Sequence, residues 1–189
     1  MKKFELTSEF VTFLGKKLFR IKALISFGNV KEGELGGYVE KEENLSNNGD
    51  AWVCGDAWVC GNARVYGDAE VFGNARVYGN ARVYGNARVY GDAEVFGNAR
   101  VYGNAEVCGN ARVSGDADYA TVHGFGSEYR TTTFFRTKAG DIGVRCGCFY
   151  GTLEEFRAKV KETHGETKTA KEYLMVADLM EFRFSKEEA

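Results

Sequence analysis

Arg64, Arg82 and Arg100 recur at intervals of eighteen residues, and Tyr66, Tyr84 and Tyr102 follow each of them two positions later. Brought side by side with no carboxylate between them, these arginines form a column that can bind phosphate, a nucleotide or an acidic protein surface, with the tyrosines as stacking platforms. Two plainer readings compete: a solvated face on which Arg and Tyr stack on each other, and a subunit interface. The chain has two histidines, His123 and His164. His123 is the one catalytic candidate, although its place in a decaying repeat reads as a corner or end-cap residue. His164 precedes Gly165 at an expected helix end, where the dipole favours it without a catalytic role. Of the five cysteines, Cys146 and Cys148 are candidates for a metal or redox site, but two apart in a strand they share one face and lack the usual two intervening residues. Cys54, Cys60 and Cys108 take an outward repeat position otherwise held mostly by Tyr or Phe, which reads as substitution within a repeat rather than a disulfide framework.

The element that must position the arginines is the stretch 49–114, eleven consecutive hexapeptides Gly-Asp/Asn-Ala-x-Val-x without insertion or deletion. A fixed short period means one unit stacked on itself, because each unit buries its apolar side only against its neighbours. Ala and Val stand two apart, so in an extended segment both point to one face, and residues flanking Val, such as Arg64 and Tyr66, point outward. Gly followed by Asp or Asn supplies the corner. Six residues per side and three sides per turn predict a triangular prism with eighteen residues per coil and coils about 4.8 Å apart.

The repeat resembles the hexapeptide-repeat left-handed β-helix family, whose units carry an aliphatic residue and, four residues later, a small one. Val65 and Ala69 and their equivalents match this through all eleven units. The resemblance implies an all-β left-handed parallel β-helix and oligomers, commonly trimers. It leaves function open, since the family includes acyl-CoA-dependent acyltransferases, γ-class carbonic anhydrases and members of no known activity. In those acyltransferases a histidine acts as general base on or beside a loop that interrupts the coils, with acyl-CoA between subunits. Here no loop interrupts 49–114 and that stretch holds no histidine, so acyl transfer from acetyl-CoA with His123 is the alternative reading. A carbonic-anhydrase site of this fold needs three histidines on zinc, and the chain has two. The segments RIKAL and GELGGYVEKEENLS, the GNARVY units and the tail RTKAGDIGVRCGCFYGTLEEFRAKVKETHG are also similar to uncharacterised bacterial and bacteriophage hexapeptide-repeat proteins.

Residues 1–44 read as a small N-terminal β cap and lead-in segment, 45–126 as the β-helix, and 127–189 as a C-terminal β-hairpin plus two-helix tail. Residues 4–6, 9–13 and 18–21 alternate as strands, with 14–17 as a turn. Tyr119 and Phe125 take the next two Val positions, which predicts a closing coil of larger residues. Strands are expected at 128–135 and 143–149 around a turn at 138–141. Thr152-Leu153-Glu154-Glu155 and Thr169-Ala170-Lys171-Glu172 read as capping boxes opening two helices, the first ending at His164-Gly165. Leu153, Phe156 and Val160 form one apolar stripe, and Tyr173, Ala177, Met180 and Phe184 another.

A formal net charge of −2 and a pI near 5.8 give no global attraction to nucleic acid or anionic membrane, so any anion binding must be local. No apolar run approaches the roughly 18 residues of a membrane span, and residues 1–3 lead into no apolar signal core; the expected location is the bacterial cytoplasm. Sorted by eighteen, the residue before Val reads Trp52, Glu70, Arg88, Glu106 on one face and Trp58, Arg76, Glu94, Arg112 on the next. Charge alternates on both, whereas the third face repeats arginine. Outward rings such as Phe72, Tyr78, Tyr90 and Phe96 point to a partner surface, and Asn62, Asn80 and Asn98 to a side-chain amide ladder. The expected function is that of a non-catalytic scaffold without cofactor, a homo-oligomer (trimer or dimer). It offers the Arg/Tyr face to a protein or anionic small molecule rather than to nucleic acid or membrane. In a phage setting one concrete version is an inhibitor that sequesters a host defence component.

Overall fold

The computed structural model describes residues 2–13, 15–126 and 128–185. Three strands, β1 (Phe4–Phe13), β2 (Lys16–Ala23) and β3 (Leu35–Val39), precede eleven two-residue strands. These are β4 (Trp52–Val53), β5 (Trp58–Val59), β6 (Arg64–Val65), β7 (Glu70–Val71), β8 (Arg76–Val77), β9 (Arg82–Val83), β10 (Arg88–Val89), β11 (Glu94–Val95), β12 (Arg100–Val101), β13 (Glu106–Val107) and β14 (Arg112–Val113). Valine is stiff at χ1 and packs well on a pleated surface, so each unit extends around it. The glycine opening each unit then turns the chain, with φ between 60° and 72° from Gly49 to Gly109. The result is a parallel β-solenoid of about four turns with three ladders, β4-β7-β10-β13, β5-β8-β11-β14 and β6-β9-β12. Val71 lies opposite Val53 and Val89, and Val83 opposite Val65 and Val101. From Ala51 to Val113 no inward Ala or Val is more than 1% exposed. Bonds such as Arg82 N–H to Ala99 O (2.9 Å) join the coils. At one corner Asn62 Nδ2 donates to Asn80 Oδ1 and Asn80 Nδ2 to Asn98 Oδ1, each at 3.1 Å, which is the expected amide ladder.

The first coil would present carbonyls to no partner, and the N-terminal cap supplies donors for them. Buried Lys3 donates from Nζ to Gly49 O (3.0 Å) and Ala51 O (2.8 Å) and lies 4.6 Å from the centre of the Phe27 ring. Burial outweighs the attraction of Asp50 and Asp68 and lowers its pKa to about 8. Buried Asn44 serves a second side, donating from Nδ2 to Gly61 O (3.2 Å) and Ala63 O (2.8 Å) while Oδ1 accepts from Lys41 N (3.0 Å). At the third side β3 adds a strand, parallel to β5 with Tyr38 opposite Trp58, and antiparallel to β2. β1 and β2 form the expected hairpin, with Lys16 and Lys17 already in β2 rather than in the turn. Leu14 of that expected turn lies outside the described residues, as do Met1, Ser127 and residues 186–189 of the expected units.

Beyond the 3-10 turn Asp116–Asp118 the chain leaves the solenoid. Tyr119 still packs on the last coil, but β15 (Tyr119–Phe125) pairs antiparallel with β16 (Arg130–Arg136), so the expected closing coil does not form. The unit beginning at Thr121 lacks the glycine that makes the corner. β17 (Ile142–Cys146) and β18 (Phe149–Thr152) complete a four-stranded sheet where a strand pair was expected; Gly147, at φ 56°, divides the second expected strand in two. α1 (Leu153–His164) opens on the expected box: Thr152 Oγ1 accepts from Glu155 N (3.2 Å), and Glu155 Oε2 from Thr152 N (2.7 Å). α2 (Lys168–Phe184) begins before its expected box. Thr167 caps it, accepting from Ala170 N (3.3 Å), and Thr169 falls inside the first turn. Both expected stripes are buried, together with Phe134 and Val144. This unit sits on the last coil of its own chain: Glu106 N donates to Thr133 Oγ1 (3.0 Å) and Lys138 N to Asn110 O (2.9 Å).

Candidate functional site

The three faces differ in what covers them. On the ladder containing β7 and β10, Arg88 Nε meets Glu70 Oε2 at 3.0 Å, while Glu106 turns to Arg145 of β17 (2.9 Å) and accepts from Tyr90 OH (3.0 Å). On the ladder containing β8 and β11, Glu94 is shared by Arg76 (3.7 Å) and Lys138 (3.0 Å), and Arg112 lies over the Phe96 ring at 5.3 Å. Trp52 and Trp58, expected to point outward, do so but are buried beneath the cap against Phe27 and Phe13. The outward thiols follow the same logic. Cys60 and Cys108 are buried, Cys60 among Leu18, Tyr38 and Trp58, so a small side chain replaces a ring where a cap needs the room. Burial pushes the Cys54, Cys60 and Cys108 thiols up, away from the thiolate a nucleophile requires.

The third ladder, β6-β9-β12, has no carboxylate in register with its arginines. Arg64 lies opposite Arg82 and Arg82 opposite Arg100, so their backbones stand about 4.8 Å apart. All three side chains are exposed, and among the described residues none makes an ion pair. The structure therefore brings the arginine column together as the spacing implied. The tyrosines are also collected, but they use their faces on one another. Tyr66 and Tyr84 stack at 4.9 Å and 2°, Tyr84 and Tyr102 at 5.3 Å and 14°, and Tyr119 meets Tyr102 edge-on at 6.5 Å. The middle ring is sandwiched, so the row is not three separate stacking platforms. The outer face of Tyr66 ends the row. It opens into a cavity of about 640 Å³ walled also by Arg64, Arg82, Glu42, Glu43 and Ser46. A second groove, of about 1290 Å³, lies at the Tyr102 end against Leu179 and Phe182 of α2.

The remaining candidates are scattered. His123 lies within β15, not at a solenoid corner; it is exposed, and Nδ1 is 3.2 Å from Thr131 Oγ1, a hydroxyl rather than an orienting carboxylate. His164 closes α1 with its ring 5.8 Å from that of Tyr173. Cys146 and Cys148 do not share a strand, because β17 ends at Cys146. Cys146 Sγ accepts from Thr132 Oγ1 (3.1 Å) and Cys148 is exposed in the following turn. Among the described residues no three His, Cys, Asp or Glu side chains converge as metal ligands. Two features escaped the sequence. Exposed Met175, Leu179 and Phe182 form a second, outward stripe on α2, at helical spacing, masked by the stronger inward one. The slot over Tyr66 depends on Ser46, which precedes the repeat; its one signal is the missing aromatic before Tyr66.

Fold and face together define a β-solenoid repeat protein with one uncovered basic, tyrosine-lined side. Residues 81–95, which run from β9 into β11, match the family described as the YdcK beta solenoid repeat. No curated protein matches the chain. Among the described residues no helix is long and apolar enough to cross a membrane.

Proposed function

We propose that this is a non-catalytic binding protein whose solenoid, left-handed with eighteen residues per coil, holds Arg64, Arg82 and Arg100 rigidly against an anionic partner. The observation that supports this reading most is the contrast between faces. Two ladders place carboxylates in register with their arginines and pair with them, while the third sets arginine against arginine with no ion pair among the described residues. Guanidinium groups held in a column repel one another unless an anion sits among them, and a β-ladder fixes their backbones beforehand, so binding has only the side chains to order. In this reading the protein assembles as a dimer or trimer in the bacterial cytoplasm, and in a phage setting the anionic partner belongs to a host defence component. Acyl transfer is the less favoured reading, because the hydroxyl partner of His123 neither orients nor charges a general base.

Calorimetric titration with tripolyphosphate and with polyglutamate at low salt tests the proposal. The wild type binds; the triple variant Arg64→Glu, Arg82→Glu, Arg100→Glu does not, and keeps its circular dichroism and melting point. Equal binding by the triple variant refutes the reading. Acetyl-CoA turnover that disappears in His123→Ala restores acyl transfer.

A further inference from the structure

The tyrosine row has two ends, and they are finished differently. At the Tyr102 end the edge of Tyr119 closes the stack. At the other end nothing aromatic follows Tyr66. Leu45 bridges to Val65, and Ser46 N donates to Val65 O (2.9 Å), which places Ser46 one coil before Tyr66. The Ser46 hydroxyl is turned back onto Asn48 O (3.1 Å), so only a small side chain stands where the next ring of the row would lie. The cavity at this point is polar in two halves. Arg64 and Arg82 line it from the solenoid, and Glu42, held by Lys2 at 2.6 Å, and Glu43 line it from the cap.

We propose that this slot binds a nucleoside diphosphate: the base continues the stack on the open face of Tyr66, its amino edge meets Glu43, and the phosphates lie on Arg64 and Arg82. The proposal rests on the anion-binding reading of the same face and narrows it to one seat and one ligand class. The dimensions agree. The arginine and tyrosine columns are two residues apart along a strand, about 7 Å, a gap that a ribose bridges between base and phosphate. A stacked base needs a free π-face, and Tyr66 offers one where Tyr84 does not. At the equivalent position over Phe72 the row begins with Cys54, but there Glu34, Asp50, Asp68 and Glu70 outnumber Arg88 and Trp52 lines the same cavity, so phosphate is repelled. Linings of opposite sign, from solenoid and cap, orient the ligand and disfavour a simple dicarboxylate, which has nothing to offer Glu43.

Titrations with adenosine diphosphate, inosine diphosphate and inorganic pyrophosphate, on the whole chain at low salt, test it. Adenosine diphosphate binds at least tenfold more tightly than pyrophosphate, and inosine diphosphate, which lacks the amino group, binds more weakly than adenosine diphosphate. Tyr66→Ala loses roughly 5- to 150-fold for adenosine diphosphate, the range of one base–aromatic stack, with pyrophosphate unchanged. Ser46→Phe fills the slot with a ring and has the same selective effect, which guards against a trivial packing defect in Tyr66→Ala. Tyr102→Ala, at the far end, changes neither. If pyrophosphate binds but adenosine diphosphate binds no better, or if both slot variants retain nucleotide binding, the nucleotide seat is wrong while the basic face stands. If neither anion binds, both proposals fall.

Discussion

Replacing Gly85 and Gly103 one at a time by alanine separates two costs that coincide everywhere else in the solenoid. Both glycines hold the left-handed region, at φ 68° and 67°, so either substitution carries the same backbone penalty, about 1–2 kcal/mol. They differ in what lies above. A Cβ on Gly85 would come 3.0 Å from Gly103 N and 3.3 Å from Gly103 O, while a Cβ on Gly103 meets nothing within 4 Å. To make room at Gly85 the two coils must part by a few tenths of an ångström. That strains the ladder bonds flanking the corner, Tyr84 N–H to Val101 O (3.0 Å) and Arg88 N–H to Ala105 O (2.8 Å). Overpacking of this kind costs about 1–3 kcal/mol. Gly85→Ala should therefore lose about 2–5 kcal/mol and Gly103→Ala about 1–2. At about 2–4 °C per kcal/mol for a chain of this length, the two melting points should differ by about 2–12 °C. Thermal unfolding followed by circular dichroism reads this directly. Because a solenoid's stability is a sum over neighbours, amide exchange should rise first in the two coils that meet at Gly85. Variants that melt within a degree of each other would refute the reasoning, since the φ penalty alone would then account for the glycine period and coil contact would add nothing.

Three further outcomes are expected. The pKa of Lys3 is about 8 in the folded chain and near 10.5 unfolded, so between those values the unfolded state holds the extra proton and stability must rise with pH. Relative to Lys3→Met, which cannot titrate, the wild type should gain about 2 kcal/mol from pH 8 to 10 in urea unfolding and nothing below pH 7; a flat difference contradicts the buried ammonium. Asn44→Ala leaves the Gly61 and Ala63 carbonyls without donors and should cost about 2–4 kcal/mol, with amide protection lost from the first coil before the last. Thr167→Ala should destabilise by about 1 kcal/mol and Thr169→Ala by less than half of that, and the reverse order would return the cap of α2 to Thr169.

The period made the middle of this protein legible and hid its ends. One residue in six is glycine and two are small or aliphatic, so in 49–114 side, corner, inward pair and outward column could all be assigned from spacing. The ladders then place inward valine against valine, with Glu against Arg outside on two faces and Arg against Arg on the third. The caps obey no period. Lys3 and Asn44 look like surface residues in the sequence, and only the orphaned carbonyls of the first coil explain why both are buried. The same loss of period shifted the cap of α2 and turned an expected closing coil into β15.

The candidate ligand slot lies at this boundary. Counting back eighteen residues from Tyr66 arrives at Asn48, a residue the structure does not set against the ring. The bridge from Leu45 to Val65 is two residues out of step with the repeat, and it is this slip that brings Ser46 over Tyr66. A chain kept in step through its first coil would stack an asparagine above the tyrosines. Out of step, it leaves a serine there and a ring face open beside two unpaired arginines. The slip also forces the cap to supply Asn44 to carbonyls that a strand in step would have reached. One irregularity at the start of the solenoid thus accounts for both the polar plug in the cap and the open seat on the basic face.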